Sequence, residues 1–274
     1  MKKVFVRLIF IIVALIIVIS ISALYSRTNV SKNTPEINFL DVGQGDSILL
    51  KLPNNKHVLI DGGPDNLVIR RLGEYLPFYQ RKIDYIIVSH FHDDHIIGLI
   101  EVLRRYQVGA IIYIKDFKET SISKVLFDKA REKQIELIGL ENEMEIKYSS
   151  ECSINILSPL ILGVKIDDNN SLIARLNCQK LSALFTGDNS LAVEAALLNT
   201  DINLGANILK ASHHGSKSAN LEAFIRRVDP EYFVISVGAD NRFGHPLPEI
   251  LKLVNTLNIK IKRTDLDKTI RINK

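Results

Sequence analysis

The chain has 274 residues, of which 46% are hydrophobic, with 35 Lys and Arg against 31 Asp and Glu. With a charged fraction of 24%, this composition is ordinary for a globular protein and excludes collagen, a coiled coil and an intrinsically disordered chain. Lys2, Lys3 and Arg7 precede the first apolar run, and the remainder, with 32 basic against 31 acidic residues, is not typical of a strongly basic nucleic-acid-binding protein.

An apolar segment lies close to the N-terminus. Residues 8–19 are apolar without interruption, and about 20 apolar residues suffice for a helix to cross a bilayer. The basic residues before it favour a cytoplasmic N-terminus. We therefore predict that residues 1–26 are a membrane anchor and that the remainder of the chain lies on the extracytoplasmic face. The alternative is a signal segment cleaved near Ser20 to Ser22, which would release a secreted protein. Residues 27–35 are polar and are predicted to be a linker.

From residue 36 onward, short β-rich runs alternate with stretches of helical periodicity. The first part predicts strands at 37–40, 47–52, 57–60, 83–88 and 110–114, and helices at 67–79, 96–106 and 121–133. The middle part predicts strands at 135–138, 144–148, 153–157, 172–177 and 181–185. The last part predicts helices at 191–198, 221–228 and 247–257, and strands at 206–209, 232–236 and 259–262. This order predicts an α+β domain over residues 36–274, with two sheets face to face and helices outside.

Three of the seven histidines fall within residues 90–95, HFHDDH, directly after a predicted buried strand. Side chains two residues apart on an extended segment point the same way, so His90 and His92 can reach one ion. Asp94 and His95 lie one turn further, where a helix begins, and can reach a second ion nearby. Imidazole and carboxylate ligands suit zinc, and also manganese or iron.

This segment is the H-x-H-x-D-H signature of the metallo-β-lactamase fold, and other segments extend the resemblance. They are FLDVGQGD at 39–46, LIDGG at 59–63, NNSL at 169–172, LFTGD at 184–188, KASHHGS at 210–216 and GHP at 244–246. Together they resemble the C-terminal metallo-β-lactamase-like domain of ComEC-type DNA-internalisation proteins. The resemblance implies an αββα sandwich that holds one or two divalent metal ions, Zn²⁺ or Mn²⁺, at one edge.

The same resemblance implies roles for individual residues. The implied metal ligands are His90, His92, Asp94, His95, Asp188 and His214, with Asp188 bridging both ions. His213 is expected near the phosphoryl oxygen, although the roles of His213 and His214 could be exchanged. The expected catalytic residues are His213, His245 and Asp94. Asp46, Asp61, Asn169 and Asn170 are expected to surround the ligands or to contact substrate, and Asp61 to hold a ligand histidine through its other ring nitrogen.

One feature departs from the usual superfamily pattern. No histidine occurs between His95 and Asp188, so the familiar third imidazole of the first metal site is missing. That site would hold His90, His92, Asp188 and water. A first metal that binds weakly, and fills its site only when substrate is present, is one interpretation.

The implied function is an exported, membrane-anchored, metal-dependent hydrolase. A phosphodiesterase or nuclease acting on extracellular DNA and related to competence proteins is the first hypothesis. The alternatives are a hydrolase of another ester or amide, such as a cell-wall phosphorylcholine ester, a lactone or a β-lactam, and a non-catalytic metal-binding module. The sequence indicates no protein partner.

Two other features leave alternatives open. A basic C-terminal group, defined as Lys260, Lys262, Arg263, Lys268 and Arg271, is either a modest phosphate-binding patch or a solvated sheet edge. The two cysteines lie in separate predicted strands and are consistent with either a disulfide or two free thiols.

Overall fold

The computed structural model describes Arg7 and residues 11–21, 34–164 and 170–273. About half of the predicted anchor, Ser22 of the alternative cleavage site and residues 27–33 of the predicted linker lie outside the described residues. Residues 11–21 are helical, and their apolar side chains are exposed. In the described ranges, no helix combines the length and the apolarity needed to cross a membrane.

The described residues contain fourteen strands in two sheets of seven. In chain order they are β1 (Glu36–Phe39), β2 (Ile48–Leu52), β3 (Lys56–Ile60), β4 (Lys82–Val88), β5 (Gln107–Ile114), β6 (Glu136–Leu140), β7 (Glu143–Ser149), β8 (Cys152–Leu157), β9 (Ile173–Cys178), β10 (Leu181–Phe185), β11 (Ile208–Lys210), β12 (Tyr232–Ile235), β13 (Lys260–Arg263) and β14 (Ile270–Asn273). Sheet one has the order β14-β1-β2-β3-β4-β5-β6, and sheet two has the order β13-β12-β11-β10-β9-β8-β7. In each sheet the strands next to the site, β3–β6 and β10–β13, run parallel.

Helices cover both sheets. Those on sheet one are α1 (Leu67–Tyr75), α2 (Asp93–Arg105) and α3 (Ser121–Glu132), and those on sheet two are α4 (Leu191–Leu198), α5 (Glu222–Val228) and α6 (Pro248–Thr256), with a short α7 (Thr264–Asp267) after β13. One apolar core joins the facing sheets and the first three helices, and a second lies between sheet two and α4–α6. Between the sheets the rings of Phe39 and Phe185 lie 6.1 Å apart. The predicted α+β sandwich is confirmed.

Apart from boundary shifts of three residues or fewer, the structure differs from the predicted elements at the end of one helix and in two short elements that were not predicted, α7 and β14. The first helix ends at Tyr75 and not at residue 79, because Leu76 is extended before Pro77, as residues before proline usually are. The last strand, β14, was not predicted, and it pairs antiparallel with β1 at the edge of sheet one. Its pairing partner is more than 200 residues away in the chain, so the local sequence pattern gives little indication that these residues form a strand.

Cys152 and Cys178 lie directly opposite each other on β8 and β9 and are joined by a disulfide. Both are buried between the sheets, and no free cysteine remains among the described residues. The two open alternatives for the cysteines are therefore decided in favour of the disulfide.

The basic C-terminal group lies on sheet edges and on the turn before β14. Four of its members face carboxylates: Lys260 with Glu231 at 3.3 Å, Lys262 with Asp267 at 3.6 Å, Arg263 with Asp265 at 2.5 Å, and Arg271 with Glu36. These positive charges are largely compensated within the domain. The interpretation as a solvated, ion-paired sheet edge therefore fits better than that of a phosphate-binding patch.

Candidate metal centre

Loops from both sheets meet at one edge of the sandwich. Asp46 precedes β2, and Asp61 directly follows β3. His90 follows β4, Asp188 follows β10, and His214 follows β11. Because parallel strands deliver their following loops to the same edge, five separate segments bring polar side chains to one place.

One carboxylate oxygen occupies the middle of this place. Asp188 Oδ2 lies 3.5 Å from His95 Nε2, 3.5 Å from His214 Nε2 and 3.9 Å from His90 Nε2. Ligand atoms held at about 2.0–2.2 Å around a tetrahedral ion are themselves roughly 3.3–3.6 Å apart. All four side chains are buried. The spacing therefore suits coordination of a metal ion by one carboxylate and several imidazoles.

Asp61 orients two of these imidazoles from behind. Its Oδ2 lies 2.9 Å from His95 Nδ1 and accepts a hydrogen bond of 2.6 Å from the Ser89 hydroxyl. Since the Ser89 hydroxyl donates to Asp61, its oxygen can accept from His90 Nδ1 at 3.0 Å. Asp61 Oδ1 also accepts from the Ser89 backbone N–H at 2.8 Å. In this arrangement both histidines carry their proton on Nδ1, which leaves the Nε2 lone pairs free.

His214 follows the same pattern with a backbone partner, because its Nδ1 donates to the Ser236 carbonyl at 2.8 Å. The Nε2 atoms of His90, His95 and His214 are all buried and have no hydrogen-bond partner in the described part of the chain. Three orphaned imidazole nitrogens facing one carboxylate oxygen would be costly without a ligand. The residues present therefore fit a divalent metal ion.

The two predicted ion positions are not equally well formed. Asp94 Oδ2 lies 3.5 Å from His214 Nε2 and 3.9 Å from His95 Nε2, and these three residues form one potential ligand group, to which Asp188 Oδ2 is adjacent through both imidazoles. On the other side lie His90 and Asp188, and the centre of the His90 ring is 4.5 Å from that of the His92 ring. His92 belongs to none of the potential ligand groups found among the described residues. The set around His90 is therefore incomplete only in its predicted His92, because His90, His95 and Asp188 themselves form a potential ligand group.

Charge coupling keeps the carboxylates ionised. Burial raises the pKa of Asp188, but His214 and His95 lower it by more than burial raises it. The pKa of Asp188 is therefore well below its usual range. Burial also raises the pKa of Asp94, which is again lowered on balance by His214 and His95. Burial lowers the pKa of His90, and the nearby His95 adds to that effect. A neutral His90 has the protonation state that a metal ligand needs. Burial lowers the pKa values of His95 and His214, but Asp188 and the other carboxylates raise them on balance, so these two imidazoles would have to release a proton to bind a metal ion.

The remaining predicted residues lie around this cluster. His213 Nε2 is 3.9 Å from Asp188 Oδ2, and its side chain is 30% exposed at the opening of the site. The His245 ring lies 5.8 Å from the His213 ring. Asp46 is buried beside the cluster and Asn170 is buried in the preceding segment, whereas Asn169 lies outside the described residues.

Ser171 was missed by the sequence analysis and lies at the incomplete side. Its hydroxyl is 3.3 Å from His90 Nδ1 and accepts a hydrogen bond of 2.9 Å from the Asp188 backbone N–H. A Cβ at Gly187 would lie 2.4 Å from the Ser171 Cβ, and Gly187 has a φ of +52°. Only glycine fits there, which is why the turn can place Asp188 so close to Ser171.

Lys210 is the most notable residue that the sequence analysis gave no role. It is the last residue of β11 and is completely buried. Its Nζ lies 2.5 Å from Asp46 Oδ2 and 3.6 Å from Asp188 Oδ1, and it donates to the Gly187 carbonyl at 2.8 Å. Burial lowers the pKa of Lys210, but Asp46 and Asp188 raise it more, so the ammonium form is retained. The one sign of this role in the sequence was the position of the lysine at the end of an otherwise apolar strand.

The His213-His214 backbone is strained and firmly held. Both residues have positive φ, 47° and 53°, a conformation that is unfavourable outside glycine. Asn220 clamps this turn through its side chain, which accepts from Ser212 N–H at 3.1 Å and donates to the carbonyls of Ser212 and Ser216. Buried Glu194 of α4 accepts in turn from the Ser212 hydroxyl at 2.8 Å and from Asn220 N–H at 3.0 Å.

We expect Asp61→Asn to bind Zn²⁺ or Mn²⁺ roughly 10-fold to 100-fold more weakly than wild type, the usual cost of losing such a supporting partner. The substitution removes the negative charge and one acceptor behind His95 and Ser89 without changing size. Titration against a chromophoric chelator measures this affinity. The matched control is Asp65→Asn, an exposed aspartate four residues away, and unchanged affinity in Asp61→Asn would contradict the assignment.

We expect Lys210→Met to lower the free energy of unfolding by about 3–5 kcal/mol in protein treated with a chelator, because Asp46 and Asp188 would stay buried without their partner. Urea unfolding measures the change. Lys217→Met, on the exposed surface, should stay within about 0.5 kcal/mol of wild type. The double variant Lys210→Met with Asp46→Leu should recover part of the loss. A single variant as stable as wild type would show that the pair is not coupled.

Sequence comparison shows that the chain is similar to competence proteins. ComE operon protein 3 of Bacillus subtilis (strain 168) is 30% identical over 255 residues, which cover 86% of this chain and 32% of that protein. Competence protein ComA of Neisseria gonorrhoeae is 27% identical over 247 residues, covering 88% and 33% respectively. The chain thus spans about a third of the length of these curated relatives. The expected resemblance to ComEC-type competence proteins is confirmed.

Solved structures share the fold at low sequence identity. CmlA, a diiron β-hydroxylase from Streptomyces venezuelae, matches with a TM-score of 0.57 and 13% identity over 88% of this chain and 54% of that one. The family model described as the metallo-beta-lactamase superfamily matches residues 40–239, most of the chain and nearly all of the site. With its two sheets, its H-x-H-x-D-H segment and its buried ligand cluster, this chain belongs to the metallo-β-lactamase superfamily.

Proposed function

We propose that this protein is a metal-dependent phosphodiesterase that cleaves DNA outside the cytoplasm. One observation carries the proposal: Asp188 Oδ2 lies within 3.9 Å of the Nε2 atoms of four histidines, three buried and one at the opening. The buried three suit metal ligation, and the fourth, His213, is placed to meet a substrate. The name of one relative, Competence protein ComA, supports DNA as the first substrate to test.

The candidate ligands in the two neighbouring groups are His90, Asp94, His95, Asp188 and His214, and Zn²⁺ or Mn²⁺ suits them. A bound divalent ion would supply an activated water at neutral pH and a positive charge for the phosphoryl oxygens. Asp61 and Ser89 keep the imidazoles in the required tautomer. Burial of His90 and His95 keeps bulk water away from the inner side of the centre, while the Asp94 side chain, 32% exposed, faces the opening.

His213 is suited to contact the phosphoryl group. Its Nδ1 lies 3.1 Å from the Ser218 hydroxyl, and when Ser218 donates this bond, Nε2 carries the ring proton. Burial lowers the pKa of His213, so the ring is neutral at pH 7 and can donate one hydrogen bond to a phosphoryl oxygen. His245 is a second candidate, because its Nδ1 is buried and has no hydrogen-bond partner within the described ranges.

Anchoring by the N-terminal segment is part of the proposal. Residues 11–21 form helix, and their aliphatic side chains are about half exposed or more on every face. A helix that is apolar all round needs an apolar environment, which a bilayer provides. The Cys152–Cys178 disulfide supports an oxidising location for the domain, as expected on the extracytoplasmic side.

We expect Asp188→Asn and His213→Ala to fail in different ways. Asp188→Asn should lose metal and activity together, because the central ligand is changed. His213→Ala should keep its metal content but lose roughly 100-fold or more in phosphodiester turnover, the usual scale of one acid–base or charge-stabilising group. Metal analysis and hydrolysis of thymidine 5′-p-nitrophenyl phosphate and DNA by the full-length protein in detergent measure both effects.

Other outcomes of the same assay decide between the hypotheses. If His213→Ala is as fast as wild type, His245 takes its place as the candidate. If wild type saturated with Zn²⁺ or Mn²⁺ cleaves no phosphodiester but opens a lactone, a β-lactam or a phosphorylcholine ester, the nuclease proposal is wrong. If it hydrolyses none of these, the non-catalytic module is favoured.

We expect protease added to intact cells to remove the domain from the cell surface, because the Lys2, Lys3 and Arg7 side of the apolar segment should remain cytoplasmic. Immunoblotting of a C-terminal tag measures the loss, and an unrelated cytoplasmic protein that stays intact is the control. Cleavage only after lysis would reverse the topology. A tagged domain in the medium would favour the cleaved signal segment.

A further inference from the structure

The loop between β12 and α6 has a shape fixed from within. The Asn241 side chain donates to the carbonyls of Gly238 at 3.0 Å and His245 at 2.7 Å. Its oxygen accepts from the backbone N–H groups of Phe243 at 3.2 Å and His245 at 3.0 Å. One amide side chain therefore satisfies four backbone groups of this loop, and the loop presents its outer residues in a defined arrangement.

The same loop is seated against the metal centre. Gly238 N–H donates to the Gln44 side chain at 3.2 Å, and Leu247 N–H donates to the Gly215 carbonyl at 3.1 Å, directly after His214. A Cβ at Gly238 would approach Gln44 N within 2.7 Å, so the two loops are in close contact. The position of the loop is thus fixed relative to the ligand cluster.

Phe243 stands at the outer end of a row of rings that begins at the centre. The His213 ring lies 5.8 Å from the His245 ring, and the His245 ring lies 6.0 Å from Phe243, with an interplanar angle of 21° between the latter two. Phe243 is 52% exposed, although a large apolar ring gains stability from burial. An exposed aromatic ring on a rigid loop, next to a reaction centre, is a surface prepared for another flat ring.

Two exposed basic residues lie on the loops that carry this row and have no acidic partner in the described part of the chain. Arg242 precedes Phe243, and its guanidinium carbon lies 5.1 Å from the Phe243 ring centroid. Lys217 lies on the loop that carries His213. Both side chains are exposed, and neither forms an ion pair with a carboxylate in the described part of the chain. The basic C-terminal group, in contrast, is largely paired. The free positive charge near the centre is therefore on the two loops at its opening.

We propose that Phe243 is a stacking platform for a nucleobase beside the scissile phosphodiester, with Arg242 and Lys217 contacting the flanking phosphates, so that the preferred substrate is single-stranded nucleic acid. This inference rests on the proposed phosphodiesterase function. A base in a duplex has both faces covered by its neighbours, whereas an unpaired base can stack on an aromatic ring without regard to its sequence. Arg242 has an exposed, flexible side chain and can leave the ring for a phosphate.

The first test measures binding by the full-length protein in detergent, with a chelator present to prevent cleavage. Fluorescence anisotropy compares a 12-nucleotide oligothymidine with an abasic strand of the same length and charge. We expect wild type to bind the oligothymidine about 10-fold more tightly than the abasic strand. A factor of ten corresponds to about 1.4 kcal/mol, which is the scale of one base stacked on an aromatic ring. Phe243→Leu should abolish this difference, and Phe243→Trp should retain it.

The matched control is Phe78→Leu. Phe78 is 85% exposed but precedes β4, at the end of that strand away from His90. Removing its ring should therefore leave the affinities for the oligothymidine and for the abasic strand unchanged. Equal binding of both strands by wild type, binding of neither strand at low salt, or an unchanged preference in Phe243→Leu would each overturn the inference. A 12-base-pair duplex bound more tightly than the single strand, with dependence on Phe243, would do the same.

A second test separates this inference from the proposed function. Thymidine 5′-p-nitrophenyl phosphate and methyl p-nitrophenyl phosphate share a leaving group, but only the first carries a base. We expect Phe243→Leu to lower kcat/KM about 10-fold for the thymidine ester and to leave the methyl ester unchanged. If wild type hydrolyses neither ester, the proposed function fails. If both esters are hydrolysed and Phe243→Leu affects neither, the function stands and the stacking platform is wrong.

Discussion

The metal centre depends on one ammonium group that has no access to solvent. Lys210 joins three segments, because it contacts Asp46 before β2, Asp188 after β10 and the carbonyl of Gly187. Among the imidazoles, His90 is held neutral by its surroundings, whereas the carboxylates raise the pKa values of His95 and His214 against the effect of burial. A fixed positive charge on β11 lets the acidic side chains approach one another, and it leaves one oxygen of Asp188 free to face the histidines.

The hydrogen bonds of Glu194 and Asn220 hold a strained stretch of backbone at His213 and His214 in one fixed geometry. Two consecutive histidines in the left-handed region are each unfavourable by about 1–3 kcal/mol. Glu194 and Asn220 compensate with hydrogen bonds, most of them to backbone groups of the 212–221 segment. The strain lets His214 point inward and His213 point to the opening from adjacent positions. In a regular strand neighbouring side chains point to opposite faces, so His213 and His214 could not both bring Nε2 within 3.9 Å of Asp188 Oδ2.

Much of the fold was predictable, because the strands and helices of this chain carry strong local patterns. The run at 83–88 is apolar and is followed at once by the histidine segment, so both the strand and the first ligands could be located from a single stretch. Asp188 and His214 could be placed only through resemblance, since each follows its own distant strand. Their meeting at Asp188 Oδ2 is a consequence of strand order, which local patterns do not encode.

What was missed has a common physical cause. Lys210 and Glu194 are charged residues within apolar elements, and such residues are usually placed at the surface. Each is buried here because its partners come from other parts of the chain: Asp46 for Lys210, and the Asn220 segment for Glu194. Strand β14 is only four residues long, and its alternation of apolar and polar residues is too short to predict a strand without the pairing with β1. Such features appear only when the tertiary structure is known.

The pairing of β1 with β14 has a mechanical consequence. Glu36 stands opposite Asn273, so residues 36 and 273 leave sheet one at the same corner, where Glu36 also pairs with Lys51 and Arg271. A force that separates these two ends would peel the strands apart one hydrogen bond at a time. A force between residue 36 and a ligand held at the Asp188 cluster runs along β1 toward Asp46, and it loads the ladders on both sides of β1 together. The domain should therefore withstand traction from a bound ligand far better than separation of residues 36 and 273.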